Sequence, residues 1–89
     1  AIAPNYPNPF NAATSLSYRL PDAGTVALKI YDAQGQLVRT LVEAYQPGGF
    51  YRITWNGNDD RGIRVGSGTY FARIAWDDQV KIEKMQLLK

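Results

Sequence analysis

A two-residue period of apolar side chains, repeated in short runs and broken by glycine- and proline-rich turns, confines this chain to β-structure. Leu16, Tyr18 and Leu20 alternate with Ser15, Ser17 and Arg19. The same period returns at Val26, Leu28 and Ile30, at Tyr51, Ile53 and Trp55, and at Tyr70, Ala72, Ile74 and Trp76. Successive side chains of a strand point to opposite faces, so each run reads as one half-buried strand. The separators are turn chemistry: Pro21-Asp22-Ala23-Gly24, Asp32-Ala33-Gln34-Gly35, Pro47-Gly48-Gly49 and Asp77-Asp78. Proline presets φ, glycine permits positive φ, and Asp bonds nearby backbone amides. Leu37, Val38, Leu41 and Val42 fit a helical spacing as well as a strand. Because the segment 36–43 is short and lies between turns, it is predicted to be a strand with a bulge.

The final segment, Gln79 to Lys89, changes apolar phase between Ile82 and Met85, and a bulge is predicted there too. Residues 57–68 form the longest irregular stretch. Residues 1–13 carry Pro4, Pro7 and Pro9, which cannot donate to a ladder, so an extended edge piece is expected, with Tyr6 and Phe10 tucked onto the core. The expectation is an all-β chain: an immunoglobulin or fibronectin III-like sandwich of about seven antiparallel strands. It would form one domain over 1–89, with a Pro-rich lead-in at 1–13 and the sandwich at 14–89. That start is expected to be where a longer protein continues upstream.

Composition narrows the chemistry. The 89 residues include no Cys and no His, so disulfides, the commonest general base and the commonest transition-metal ligand are all missing. A serine nucleophile needs an activating base, and Ser15, Ser17 and Ser67 have none by sequence. The chain is therefore expected not to be an enzyme and to need no cofactor. Ten basic residues against eight acidic ones are scattered without a block, which speaks against nucleic acid. No apolar run approaches the roughly 18–20 residues of a membrane span, and none of these 89 residues is expected to belong to a signal peptide. Asn58, Asp59 and Asp60 could offer oxygen ligands to calcium, but adjacent acids lack the alternating spacing of a calcium loop, and a turn held by Asx bonds is the plainer reading. Trp55 and Trp76 sit in apolar alternation and are expected in the core rather than on a sugar-stacking platform. The last strand, with Lys81, Lys84 and Lys89 read on its polar side, could be grasped by an edge-pairing partner.

Several motifs occur together: Asn5-Tyr6-Pro7-Asn8-Pro9-Phe10-Asn11, Ile30-Tyr31-Asp32, Trp55-Asn56-Gly57, Asp59-Asp60, Ser67-Gly68-x-Tyr70-Phe71 and Lys84-Met85-x-Leu87-Leu88-Lys89. In this combination the chain resembles the type A C-terminal sorting domain of the type IX secretion system, over nearly its whole length. Its central part also resembles the immunoglobulin-like domain of flagellar hook-capping proteins. It departs from the sorting-domain pattern at Ala12, Asn56 and Gly48-Gly49-Phe50.

The resemblance implies a non-catalytic domain carried at the C-terminus of a larger secreted or surface protein of Bacteroidetes-type bacteria. It implies export through the periplasm, with the type IX translocon and a sortase-like enzyme as partners and an attached N-terminal cargo. By the same resemblance, recognition would rest on Gly68, Tyr70, Lys84, Met85, Leu87, Leu88 and Lys89. The alternatives are a hook-cap-like assembly domain, or a carbohydrate-binding or spacer module.

Overall fold

Each alternating run forms a strand. The computed structural model describes residues 2–88. Six strands follow one another: β1 (Thr14–Leu20), β2 (Gly24–Asp32), β3 (Leu37–Gln46), β4 (Gly49–Trp55), β5 (Gly68–Trp76) and β6 (Gln79–Leu87). They make two antiparallel sheets, β1-β4 and β3-β2-β5-β6. The Asp32–Gly35 and Asp77-Asp78 turns close hairpins within the larger sheet. The turns after Leu20 and Gln46 carry the chain across to the other sheet.

The inner positions of both sheets meet in one core. Leu16, Val26, Leu28, Ile30, Trp55, Met85 and Leu87 are fully buried, joined by Phe10, Tyr18, Leu20, Tyr70, Ala72 and Ile74. Aromatic packing fixes one end of it: the Trp55 ring stands edge-on to Phe10 at 5.6 Å and to Tyr70 at 5.3 Å. Such pairs add to the area they bury.

The ambiguous segment is a strand, and its helical-looking spacing has a cause. The pairing of β2 with β3 slips twice, so that Leu41 and Val38 are extra residues on β3. Each bulge adds one residue and shifts the alternation, letting Val38, Leu41 and Val42 all pack against the core.

Three expectations are corrected. Among the described residues the sandwich has six strands rather than about seven, because the lead-in pairs with its neighbours through isolated bridges at Ile2, Tyr6 and Phe10 and forms no continuous ladder. Pro4, Pro7 and Pro9 have no N–H to continue a ladder. Tyr6 is 81% exposed, whereas Phe10 enters the core. β6 has no bulge: its register against β5 runs unbroken from Gly68↔Leu87 to Trp76↔Gln79. The apolar phase changes because the two ends of β6 are apolar on opposite faces. Met85 and Leu87 point into the core, whereas Val80 and Ile82 lie on the outer face and are exposed. Lys81 and Lys84 consequently lie on opposite faces, not together.

The unbroken register makes a sharp prediction. Leu87→Ala should cost about 2–5 kcal/mol, the usual range for a truncated core leucine. Ile82→Ala should change stability by less than about 0.5 kcal/mol, as surface substitutions do. Denaturant unfolding of both variants decides it; equal losses would place Ile82 in the core and restore the bulge.

Candidate recognition surface

The first and last motifs of the chain meet. The lead-in runs antiparallel beside β1 through Ala3 N–H to Ser17 (2.9 Å), Tyr6 N–H to Ser15 (3.0 Å) and Ser15 N–H to Tyr6 (2.8 Å). It then turns alongside the end of β6 in parallel. Phe10 N–H donates to the Gln86 carbonyl (3.0 Å), and Leu88 N–H donates to the Phe10 carbonyl (2.7 Å). Asn8 adds a side-chain copy of a strand pairing: its Oδ1 accepts from Gln86 N–H (3.0 Å) and its Nδ2 donates to the Lys84 carbonyl (3.3 Å). Asn5 is buried and anchors the lead-in from within. Its Nδ2 donates to Thr14 Oγ1 at 2.9 Å, and that hydroxyl donates to the Pro7 carbonyl at 2.8 Å.

The irregular segment 56–67 locks the other flank. Arg64 spreads its guanidinium over three backbone carbonyls, those of Asn11, Ala12 and Asn56. Gly57 lets it lie there, because a Cβ would sit 2.8 Å from Arg64 Nη1 and the φ of +78° disfavours a side chain in any case. Trp55 Nε1 donates to the Asn58 carbonyl at 2.9 Å. The Tyr70 hydroxyl donates to the Gly66 carbonyl at 2.7 Å, and burial, then the nearby Asp32 charge, raises its pKa.

In the acidic turn, Asp59 Oδ1 accepts from the Arg61 and Ile63 amides, and Oδ2 meets the Arg61 guanidinium at 3.2 Å. The Ile63 amide bond above all holds its carboxyl below the usual carboxylate range; burial opposes it, and the Arg61 contacts lower it further. Asp60 Oδ1 accepts from Thr40 N–H and lies 3.7 Å from Arg39 Nε. The calcium candidates thus serve the turn: Asn58 through its carbonyl, and both acids through carboxylates that bind internal donors. Among the described residues no three His, Cys, Asp or Glu side chains are grouped to share a metal ion.

The residues expected to carry recognition divide by burial. Met85 and Leu87 are fully buried and Tyr70 nearly so. Gly68 opens β5 at φ +149°, a conformation that favours glycine. Lys84 and Leu88 are exposed, Leu88 by 50%, and flank the Asn8 bridge. Lys89 lies outside the described residues. Trp55 is buried, while Trp76 is half-buried and lines a shallow groove of about 240 Å³ with Leu20, Ile74, Asp77, Asp78, Gln79 and Lys81. Sequence reasoning missed Arg64 and the bridging role of Asn8. Arg64 lies in an irregular loop where no periodicity marks it, and Asn8 acts through partners more than seventy residues away.

The two facing antiparallel sheets, with strands switching between them, define an immunoglobulin-like β-domain. The FlgD Ig-like domain family matches residues 8–79, and the chain belongs to that family. No curated protein matches the chain. Among solved structures, dimeric latent PorU from Porphyromonas gingivalis is similar over 94% of this chain at 25% identity and a TM-score of 0.72. PorZ from Porphyromonas gingivalis, an essential bacterial surface component of the type IX secretion system, is similar over the full length at 20% identity and a TM-score of 0.68, which shows the fold alone. FlgD from P. aeruginosa is similar over 83% of this chain at 25% identity and a TM-score of 0.63. The matched region covers 9%, 12% and 58% of those three chains.

Two predictions follow from the site's geometry. Asn8→Ala removes both side-chain bonds to β6 and should cost about 1–3 kcal/mol, given about 0.5–1.5 kcal/mol net per hydrogen bond. An unchanged denaturant midpoint would show that the Asn8 bridge carries no stability. Asp59 is depressed in the folded state, so its contribution is complete above its unfolded pKa and disappears as pH falls through the folded one. The Arg61 and Ile63 amide resonances should therefore titrate with a midpoint below about 3.9, the free aspartate value. A midpoint at or above it would mean that the turn does not hold the carboxylate.

Proposed function

We propose that this chain is a non-catalytic sorting domain of a larger secreted protein, recognised by the type IX translocon through the exposed end of β6. The observation that carries the reading is the junction of lead-in and terminal strand. The two motifs of the sorting-domain resemblance are hydrogen-bonded to each other, leaving Lys84 and Leu88 outward on a rigid frame. The likeness to PorU supports it. The domain would carry its cargo on its N-terminal side, pass through the periplasm, and reach the surface or the medium after a sortase-like step. Recognition is assigned to Lys84, Leu88 and Lys89, while Gly68, Tyr70, Met85 and Leu87 hold the shape that presents them.

The FlgD family match favours a second reading, an assembly domain like that of a hook-cap protein. That match ends at Gln79, whereas the motif behind the sorting reading lies on β6. The carbohydrate-module reading loses its platform, because Trp55 is buried and only Trp76 borders a groove.

A reporter with a periplasmic export signal, fused ahead of this chain in a host with a type IX system, tests the proposal. Deleting residues 84–89 would also remove Met85 and Leu87 from the core, so the informative variant is Lys84→Ala with Leu88→Ala. Extracellular reporter should fall at least about tenfold, the effect of roughly 1.4 kcal/mol of lost recognition, with the denaturant midpoint of the domain unchanged. Equal secretion of both versions would contradict the assignment.

A further inference from the structure

β6 is an edge strand, and its free stretch is self-complementary. The backbone groups of Lys84, Gln86 and Leu88 that bond the lead-in all point away from β5. Backbone direction alternates along a strand, so the N–H and C=O groups of Val80 and Ile82 point the same way, and among the described residues no strand lies beyond them. The stretch is bounded at Gln79 by the Asp77-Asp78 turn and beyond Met85 by Asn8 and Phe10 at Gln86. Ile82 is its midpoint.

We propose that this edge pairs antiparallel with β6 of a second copy of the chain, across a two-fold axis at Ile82. In that register Ile82 opposes Ile82 of the second copy with both pairs of backbone groups facing. Val80 opposes Lys84, whose carbonyl can accept a second donor beside Asn8. Lys81 opposes Glu83 twice, once on each side of the axis. These are non-hydrogen-bonded positions, where opposed side chains come closest.

None of the ion pairs among the described residues uses Lys81 or Glu83, so both charges are available. The neighbouring registers are worse. An axis at Lys81 sets Lys81 against Lys81, and an axis at Glu83 sets Glu83 against Glu83 and Val80 against the occupied Gln86. Edge lysines usually discourage pairing; here the Lys81–Glu83 pattern selects one register. Val80 and Ile82, 46% and 61% exposed on the outer face, would gain cover. The two sheets would join into one continuous sheet through an isologous contact. The inference stands independently of the sorting role.

Sedimentation equilibrium of the 89-residue chain tests it. One strand pair is a small interface, so a dissociation constant between about 10 µM and 1 mM is expected. Lys81→Glu and Glu83→Lys should each raise it about tenfold, because each substitution makes two like-charge oppositions. The double variant should return it to within about threefold of the original, since the pairs are then rebuilt in reverse. A chain that stays monomeric at about 2 mM, well above that range, overturns the proposal and leaves the edge to a strand of a different protein. A dimer indifferent to the charge reversals, or not rescued by the double variant, overturns it as well.

Discussion

Phe10 holds both sheets at once, and the rest of the structure depends on that contact. Its backbone bonds Gln86 and Leu88 at the end of β6, while its ring packs on Trp55 at the end of β4. The β1-β4 sheet has only two strands, and a pair of strands alone is marginal in water. The lead-in relieves that weakness from both sides. It adds backbone bonds along the outer edge of β1, then crosses to the far edge of the other sheet. Arg64 secures the crossing by capping the Asn11 and Ala12 carbonyls, which the turning chain would otherwise leave without a strand partner. The lead-in and the end of β6 are thereby one structural unit with the core.

That arrangement explains what was legible beforehand. Four strand segments could be read directly, because alternation is a property of the extended backbone and survives in any half-buried strand. The doubtful β3 was ambiguous for a physical reason: Val38 and Leu41 are bulge residues, and two bulges bring the apolar positions close to a helical spacing. β6 misled for a different reason. Its inner positions Gln79 and Lys81 are exposed, so the smaller sheet does not cover them, and polar residues are tolerated where the pattern demanded apolar ones. Val80 and Ile82 then mimic a slipped register. The bridge from Phe10 to Leu87 was not legible at all, since it joins residues at opposite ends of the sequence.

For the site, residue types were easier to recognise than roles. The motif residues that made the chain look like a sorting domain mostly build the fold: Asn5 anchors, Phe10 and Tyr70 frame Trp55, Gly57 admits Arg64, and Met85 and Leu87 fill the core. The acidic turn, read as a weak calcium candidate, spends Asp59 on its own amides, Asp60 on the Thr40 amide of β3, and both on neighbouring arginines. What remains outward is a small set around Asn8, Lys84 and Leu88. A sandwich hosts many functions, so this surface and not the architecture must carry the functional reading.

Native-state amide hydrogen exchange of Phe10 and Leu88 tests the central claim most directly. If the lead-in and terminal strand belong to the cooperative core, both amides should exchange only with global unfolding, as slowly as those of β2 and β5. Exchange at the rate of a frayed end, with β2 and β5 still protected, would contradict it: the junction would open while the sandwich stayed folded.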